Sequence, residues 1–253
     1  MSTNLNQAAP VSVSNDASKS VSDPSFKFES MYPYYIRCRA MIGGERTAKM
    51  HDRYLDKVFF RNLLIPFSVS MTQQQYDFYR AEAELPGINA QYVRVLVNGL
   101  LRKRPDLVLP ENAPEEAYDW LMSDFTKENG SLVGFLSAAL TEEITTSRSW
   151  IGVTFPFVDP DRDLTDEQRE QLRPFPILYK AESVINWREG IHPVTGESGL
   201  QMVVIRQSVE RPGVNEFHAD IVDTVWVHDL NPEGYYRVRT YEVPYNSGQT
   251  NVV

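Results

Sequence analysis

From residue 72 to residue 146 the apolar positions recur at three- and four-residue spacing, and after residue 150 that period gives way to runs of β-branched and aromatic residues. Thr72 is placed to cap a helix running to Arg80 or Glu84, and Pro86 and Gly87 end it. Asn89 is read as the cap of the next helix, with Val93, Leu96, Val97, Leu100 and Leu101 on one core-facing side. Pro114 suits a first-turn position ahead of Glu115 and Glu116, and Tyr118, Leu121 and Phe125 supply the buried stripe of a third helix. Ser131 opens a fourth, which buries Leu132, Phe135, Leu136, Ala139, Leu140 and Ile144.

Strands are expected at 150–158, 177–180, 200–209, 217–230 and 235–243, separated by turn formers at 193–196 and 231–234. Their short connections favour antiparallel pairing. Helices first and strands second predict an α+β domain, with N-terminal helices packed on a mostly antiparallel sheet. Trp150, Phe155 and Trp187 are expected to lie buried where the last long helix meets that sheet. The alternation along 235–243 predicts one face that is solvated or meets a partner.

The chain divides accordingly. Residues 1–27, rich in Ser, Asn, Ala and Val, show no apolar periodicity and are read as a flexible arm. Residues 28–146 are mainly helical, 147–245 form the antiparallel β region of the same domain, and 246–253 are a tail or a junction to a missing segment. The aromatic residues Phe26, Phe28, Tyr32, Tyr34 and Tyr35 are read as packing on the core, with docking on a neighbouring subunit as the alternative.

Composition narrows the function classes. At 253 residues and 42% hydrophobic the chain can build a real core. Its net charge of −9 disfavours a general grip on nucleic acid, which needs a basic face. The lone Cys38 excludes an internal disulfide framework and fits a reducing compartment. No run of apolar residues is long enough to span a membrane, and no secretory signal opens the chain.

Candidate chemistry is sparse. Asp159, Asp161, Asp163 and Glu170 take positions of a calcium-loop pattern, but Leu164 stands where the turn wants glycine, so a solvated acidic loop is the reading. His51, His192, His218 and His228 are scattered without metal-ligand spacing. Gly43 and Gly44 precede Arg46 without a phosphate-loop lysine and are read as a turn. No nucleophile elbow is present. No catalytic, cofactor-binding or metal residues are therefore assigned. Arg102, Lys103 and Arg104 close a helix, where cations complement the dipole, and they are also candidates for phosphate or inter-subunit contact. Arg237 and Arg239 share a strand face and are candidates to meet acidic groups of a neighbouring protomer, with ordinary solvation as the plainer reading.

A set of ordered motifs resembles one family. Glu142, Glu143 and Ile144, then Ser147–Val153, Val158-Asp159-Pro160, and Tyr179–Arg188 with its Ile185-Asn186-Trp187 centre, resemble a helix and two strands of portal proteins of tailed bacteriophages. Upstream, Gly43–Met50 with Tyr54-Leu55, Tyr79-Arg80-Ala81 and Val97–Pro105 resemble further family segments; downstream, 225–230 and 234–238 resemble a family hairpin. The resemblance spans roughly residues 36 to 243 and is to the N-terminal, wing-type region.

The resemblance implies a structural, non-enzymatic protein that forms a ring of identical subunits, twelve in the virion, at one capsid vertex. Double-stranded DNA passes the ring non-specifically, driven by a separate terminase, and capsid and head–tail adaptor proteins are the other implied partners; no membrane is involved. Localisation would be the portal vertex of the virion, after assembly in the host bacterial cytoplasm. An acidic ring repels the duplex instead of gripping it. The family continues into a stem and clip, whereas this chain stops at Val253, so a truncated product, a fragment or a split portal is expected. Another phage head-completion or adaptor protein, and an uncharacterised enzyme, remain as alternatives.

Overall fold

The computed structural model of the chain describes residues 20–49, 64, 68, 70–114, 116–127, 130–156, 165, 172–212 and 219–243. Helix α1 (Phe26–Gly43) starts where the Ser25 hydroxyl accepts a hydrogen bond from the Phe28 amide, 3.2 Å. Just before it, Val21 packs against the core and Ser22 is buried. The aromatic run becomes one helix, in which Phe28 and Tyr35 are buried while Phe26 and Tyr34 face outward. Gly44, at φ 85°, supplies the turn into α2 (Glu45–Lys49).

Thr72 caps α3 (Gln73–Glu82) through a reciprocal capping box with Gln75. Asn89, by contrast, is not the cap of the next helix: α4 (Ile88–Leu100) begins one residue earlier, after Gly87 at φ 69°. Glycine enters that left-handed conformation without the steric cost a side chain adds, so it takes the boundary. The buried side of α4 is also narrower than its periodicity predicts. Val93 and Val97 are buried, Leu101 is half-buried, and Leu96 and Leu100 are exposed.

Helix α5 (Ala117–Ser123) buries Ala117, half-buries Leu121, and leaves Tyr118 exposed. The hydroxyl of Ser131 accepts from the Gly134 amide and starts α6 (Leu132–Thr146), whose Phe135 and Ala139 are buried. Helix α6 packs against α1, α4 and α5.

The β half comprises two antiparallel sheets. Strands β1 (Trp150–Thr154) and β2 (Phe175–Tyr179) pair with each other. Gly152 lies against the Tyr179 ring so closely that a Cβ there would come within 2.9 Å of it. Strands β3 (Val184–Ile191), β4 (Ser198–Pro212), β5 (Ala219–Leu230) and β6 (Tyr236–Val243) form a meander in the order β3-β4-β5-β6. The protein is therefore an α+β fold.

Register places a core on each face of the four-stranded sheet. On one face Ile185, Val204, Val225, Val227 and Val243 meet Phe28 of α1, with Tyr32 packed alongside. On the other, Val184, Ile205, Val203 and Trp226 meet Tyr179, Ile177 and Trp150 of the two-stranded sheet. Neighbouring residues Val184 and Ile185 serve opposite cores, as strand alternation dictates, and a bulge between Val184 and Asn186 shifts the register against β4. Phe155, expected in the core, is 55% exposed, since it continues the outward side of β1 on which Ile151 and Val153 also lie. Trp150 and Trp187 are half-buried.

Candidate functional site

The segment joining α6 to β1 builds a cleft. Ser147 turns the chain out of α6 in a left-handed conformation, φ 58°, and the Thr146 hydroxyl lies 3.0 Å and 2.9 Å from the carbonyl oxygens of Glu142 and Arg148. That turn projects Arg148 across two indoles. Its guanidinium carbon sits 4.6 Å from the Trp187 ring centre and 5.5 Å from that of Trp150, and the two indoles are 5.4 Å apart.

Around this stack lies an open cleft of about 570 Å³ lined by Glu143, Ser147, Arg148, Ser149, Trp150, Trp187, Glu189, Ser198, Gly199 and Leu200. The Ser149 hydroxyl donates to Glu143 at 3.2 Å. One guanidinium nitrogen of Arg148, Nη1, and the indole nitrogen of Trp150 are buried without a hydrogen-bond partner. The floor is thus aromatic and cationic, and the rim carries carboxylates and hydroxyls. Such a surface suits recognition of a polar group.

The basic residues singled out in the sequence fall in two separate places. Arg237 donates to both carboxylate oxygens of Asp229 at 2.8 Å, and Arg239 donates to the same carboxylate at 2.9 Å and to the Tyr241 hydroxyl at 3.1 Å. Both therefore have partners within their own sheet. Arg102, Lys103 and Arg104 follow the α4 cap residue Leu101, exposed and without an ion pair among the described residues. No contact joins the two sets.

His192 sits in the β3–β4 turn, where its Nδ1 accepts from the Val194 and Thr195 amides. His51, His218 and the acidic loop 159–170, apart from Thr165, lie outside the described residues. Among the described residues, no group of three or more His, Cys, Asp or Glu is placed to hold a metal ion.

Sequence reading missed the strongest ionic cluster. Arg39 of α1 donates to both oxygens of Glu142 on α6, 3.0 and 2.5 Å, and to both oxygens of Glu182 in the β2–β3 turn, 2.6 and 2.9 Å. Burial alone would raise the Glu182 pKa, but the Arg39 hydrogen bonds and charge prevail and hold it below the usual range. The same pairing, led by Glu182, raises the pKa of Arg39.

At the far end of β5, burial pushes the His228 imidazole below its ordinary pKa; its Nε2 is buried without a partner, while Nδ1 meets the Tyr236 hydroxyl. The hydrogen bond from Arg237, with the Arg239 charge and against some desolvation, holds Asp229 low as well. Both groups bind protons more readily in the unfolded chain. Stability is therefore complete above about pH 7 and lost in two stages on acidification, the first as pH falls below about 6.5 and the second below about 4. Thermal melts should show the first decline in the wild type and its loss in His228→Gln, and Asp229→Asn should blunt the second. A wild-type Tm that stays flat from about pH 7 to about pH 5 would contradict this assignment.

A scan of the sequence against protein-family models and a search of curated proteins each return no match.

Proposed function

We propose that this chain is a structural, ring-forming phage portal-like protein, corresponding to the wing-type region of a portal vertex through which double-stranded DNA passes. One observation carries the reading. Two of the ordered motif segments, 142–153 and 179–188, separated by residues 154–178, meet in one contact, Trp150 and Arg148 against Trp187. Residues that resemble a family in order and also pack on one another behave as a scaffold signature, since chance matches have no reason to converge.

One further feature supports the reading: the net charge of −9 suits a channel that must not grip DNA. Identical subunits, terminase, capsid and adaptor proteins are the partners this role requires.

The test is assembly. The chain joined to a relative's stem and clip should form closed rings by mass photometry and electron microscopy, while the chain alone should associate weakly and in a salt-sensitive way. A completed chimera that stays monomeric, or a closed two-fold dimer of the chain alone, would overturn the reading.

A further inference from the structure

We propose that the exposed side of α4 is a self-association surface whose occupant is the acidic, aromatic face of α5 on a second copy of this chain. The proposal rests on the ring-forming reading and assigns it a pair of contacting surfaces. Helix α4 is apolar on two sides. Val93 and Val97 face inward, whereas Ile88, Tyr92, Val95 and Leu96 recur at helical spacing on another side and are 63%, 65%, 68% and 40% exposed. A helix that only completes its own core has no need of this second stripe. With 13 residues α4 is about 20 Å long, enough to run the width of a modest interface.

Charge selects the occupant. Arg102, Lys103 and Arg104, directly after α4, are exposed and carry no ion pair among the described residues. An apolar stripe ending in uncommitted cations favours a partner that is both aromatic and acidic, and disfavours a phosphate backbone, which would leave the stripe uncovered. The chain carries that complement on α5. Tyr118 is 48% exposed, and Asp119 next to it, the cap residue Glu116 and, in the preceding turn, Glu111 are exposed and without ion pairs among the described residues. The two surfaces belong to different helices that each pack on α6, so one copy can offer α4 while its own α5 receives the next. Such a contact is heterologous, repeating head to tail.

Sedimentation velocity of the full chain up to millimolar concentration, at low and high salt, tests the pairing. The wild type should associate reversibly, and more weakly in high salt. R102E/K103E/R104E alone, E116R/D119R alone and Val95→Asp should each weaken association by roughly tenfold or more, with circular dichroism unchanged because all these positions are exposed. An equimolar mixture of the two charge-reversed variants should recover association, an outcome that misfolding cannot imitate.

A wild type that stays monomeric, charge reversals without effect, or a mixture that fails to recover would overturn the pairing. If E116R/D119R alone has no effect, an α4–α4 contact replaces it. Large rings untouched by the variants would sink this surface and leave the portal reading standing. Sensitivity to every variant in an assembly that stops at two copies would support the surface and sink the portal reading.

Discussion

Arg39→Leu is expected to lower stability by about 3 kcal/mol, because it strands two carboxylates that the wild type compensates with one guanidinium. Arg39 joins α1 to α6 and to the β2–β3 turn, and its side chain is 25% exposed against 14% for Glu142 and 19% for Glu182. Water reaches the cluster only partly, so the unpaired carboxylates of the variant gain little solvation. The loss should therefore depend on pH. In the variant burial acts on the Glu182 carboxyl without the Arg39 pairing that holds it down, so its protonation favours the fold, and the gap to wild type should narrow as pH falls toward about 4.

Urea titrations at two pH values would read this as a shift in midpoint at constant slope. Arg39→Lys should recover only part of the loss, since an ammonium cannot present two parallel donors to each carboxylate. A penalty below about 1 kcal/mol at neutral pH would mean the cluster behaves as an ordinary surface ion pair.

Trp187→Ala should cost more, about 3–5 kcal/mol, although the residue is only half-buried. Its indole packs against the cores on both faces of the sheet, stacks with Trp150 at 5.4 Å, and lies under the Arg148 guanidinium at 4.6 Å. Truncation removes one wall from each. Trp187→Phe should retain about half of the contribution, and a double-mutant cycle with Arg148→Ala should return a coupling of about 0.5–1 kcal/mol. If Trp187→Ala unfolds within about 1 kcal/mol of the wild type, the indole is not the joint between layers that its contacts indicate.

Local signals were legible in the sequence where one short segment decides the outcome. The Thr72 cap, the Ser131 cap and the turns at 193–196 and 231–234 depend on residues within a few positions of one another, and the structure places them as expected. The start of α4 differs because two residues two positions apart compete for one boundary, and the left-handed Gly87 prevails over the side-chain cap offered by Asn89. Periodicity along α4 reported apolar residues without reporting what covers them, so Leu96 and Leu100 were assigned to a core they do not enter.

The Arg39 cluster had no local signal at all. Its partners lie 103 and 143 positions away, and nothing in a single chain marks one arginine out of many for such a role. In the α6–β1 cleft, Trp150 and Trp187 stand out as motif residues, but the position of Arg148 over their rings depends on the left-handed turn at Ser147, a conformation serine seldom adopts.

The meander and α1 belong to different stages of the protein's synthesis. Each strand from β3 to β6 pairs with its neighbour in sequence, so those hairpins can close soon after they emerge. Helix α1 emerges first but has its apolar side against Ile185 and its capping residue Ser25 bonded to the Ile185 carbonyl. At translation rates of about 5–20 residues per second, the stretch between them keeps Phe28 waiting ~8–30 s for its partner. During that interval the Phe28 side of α1 lacks the sheet that covers it, and holdase chaperones have a defined segment to protect.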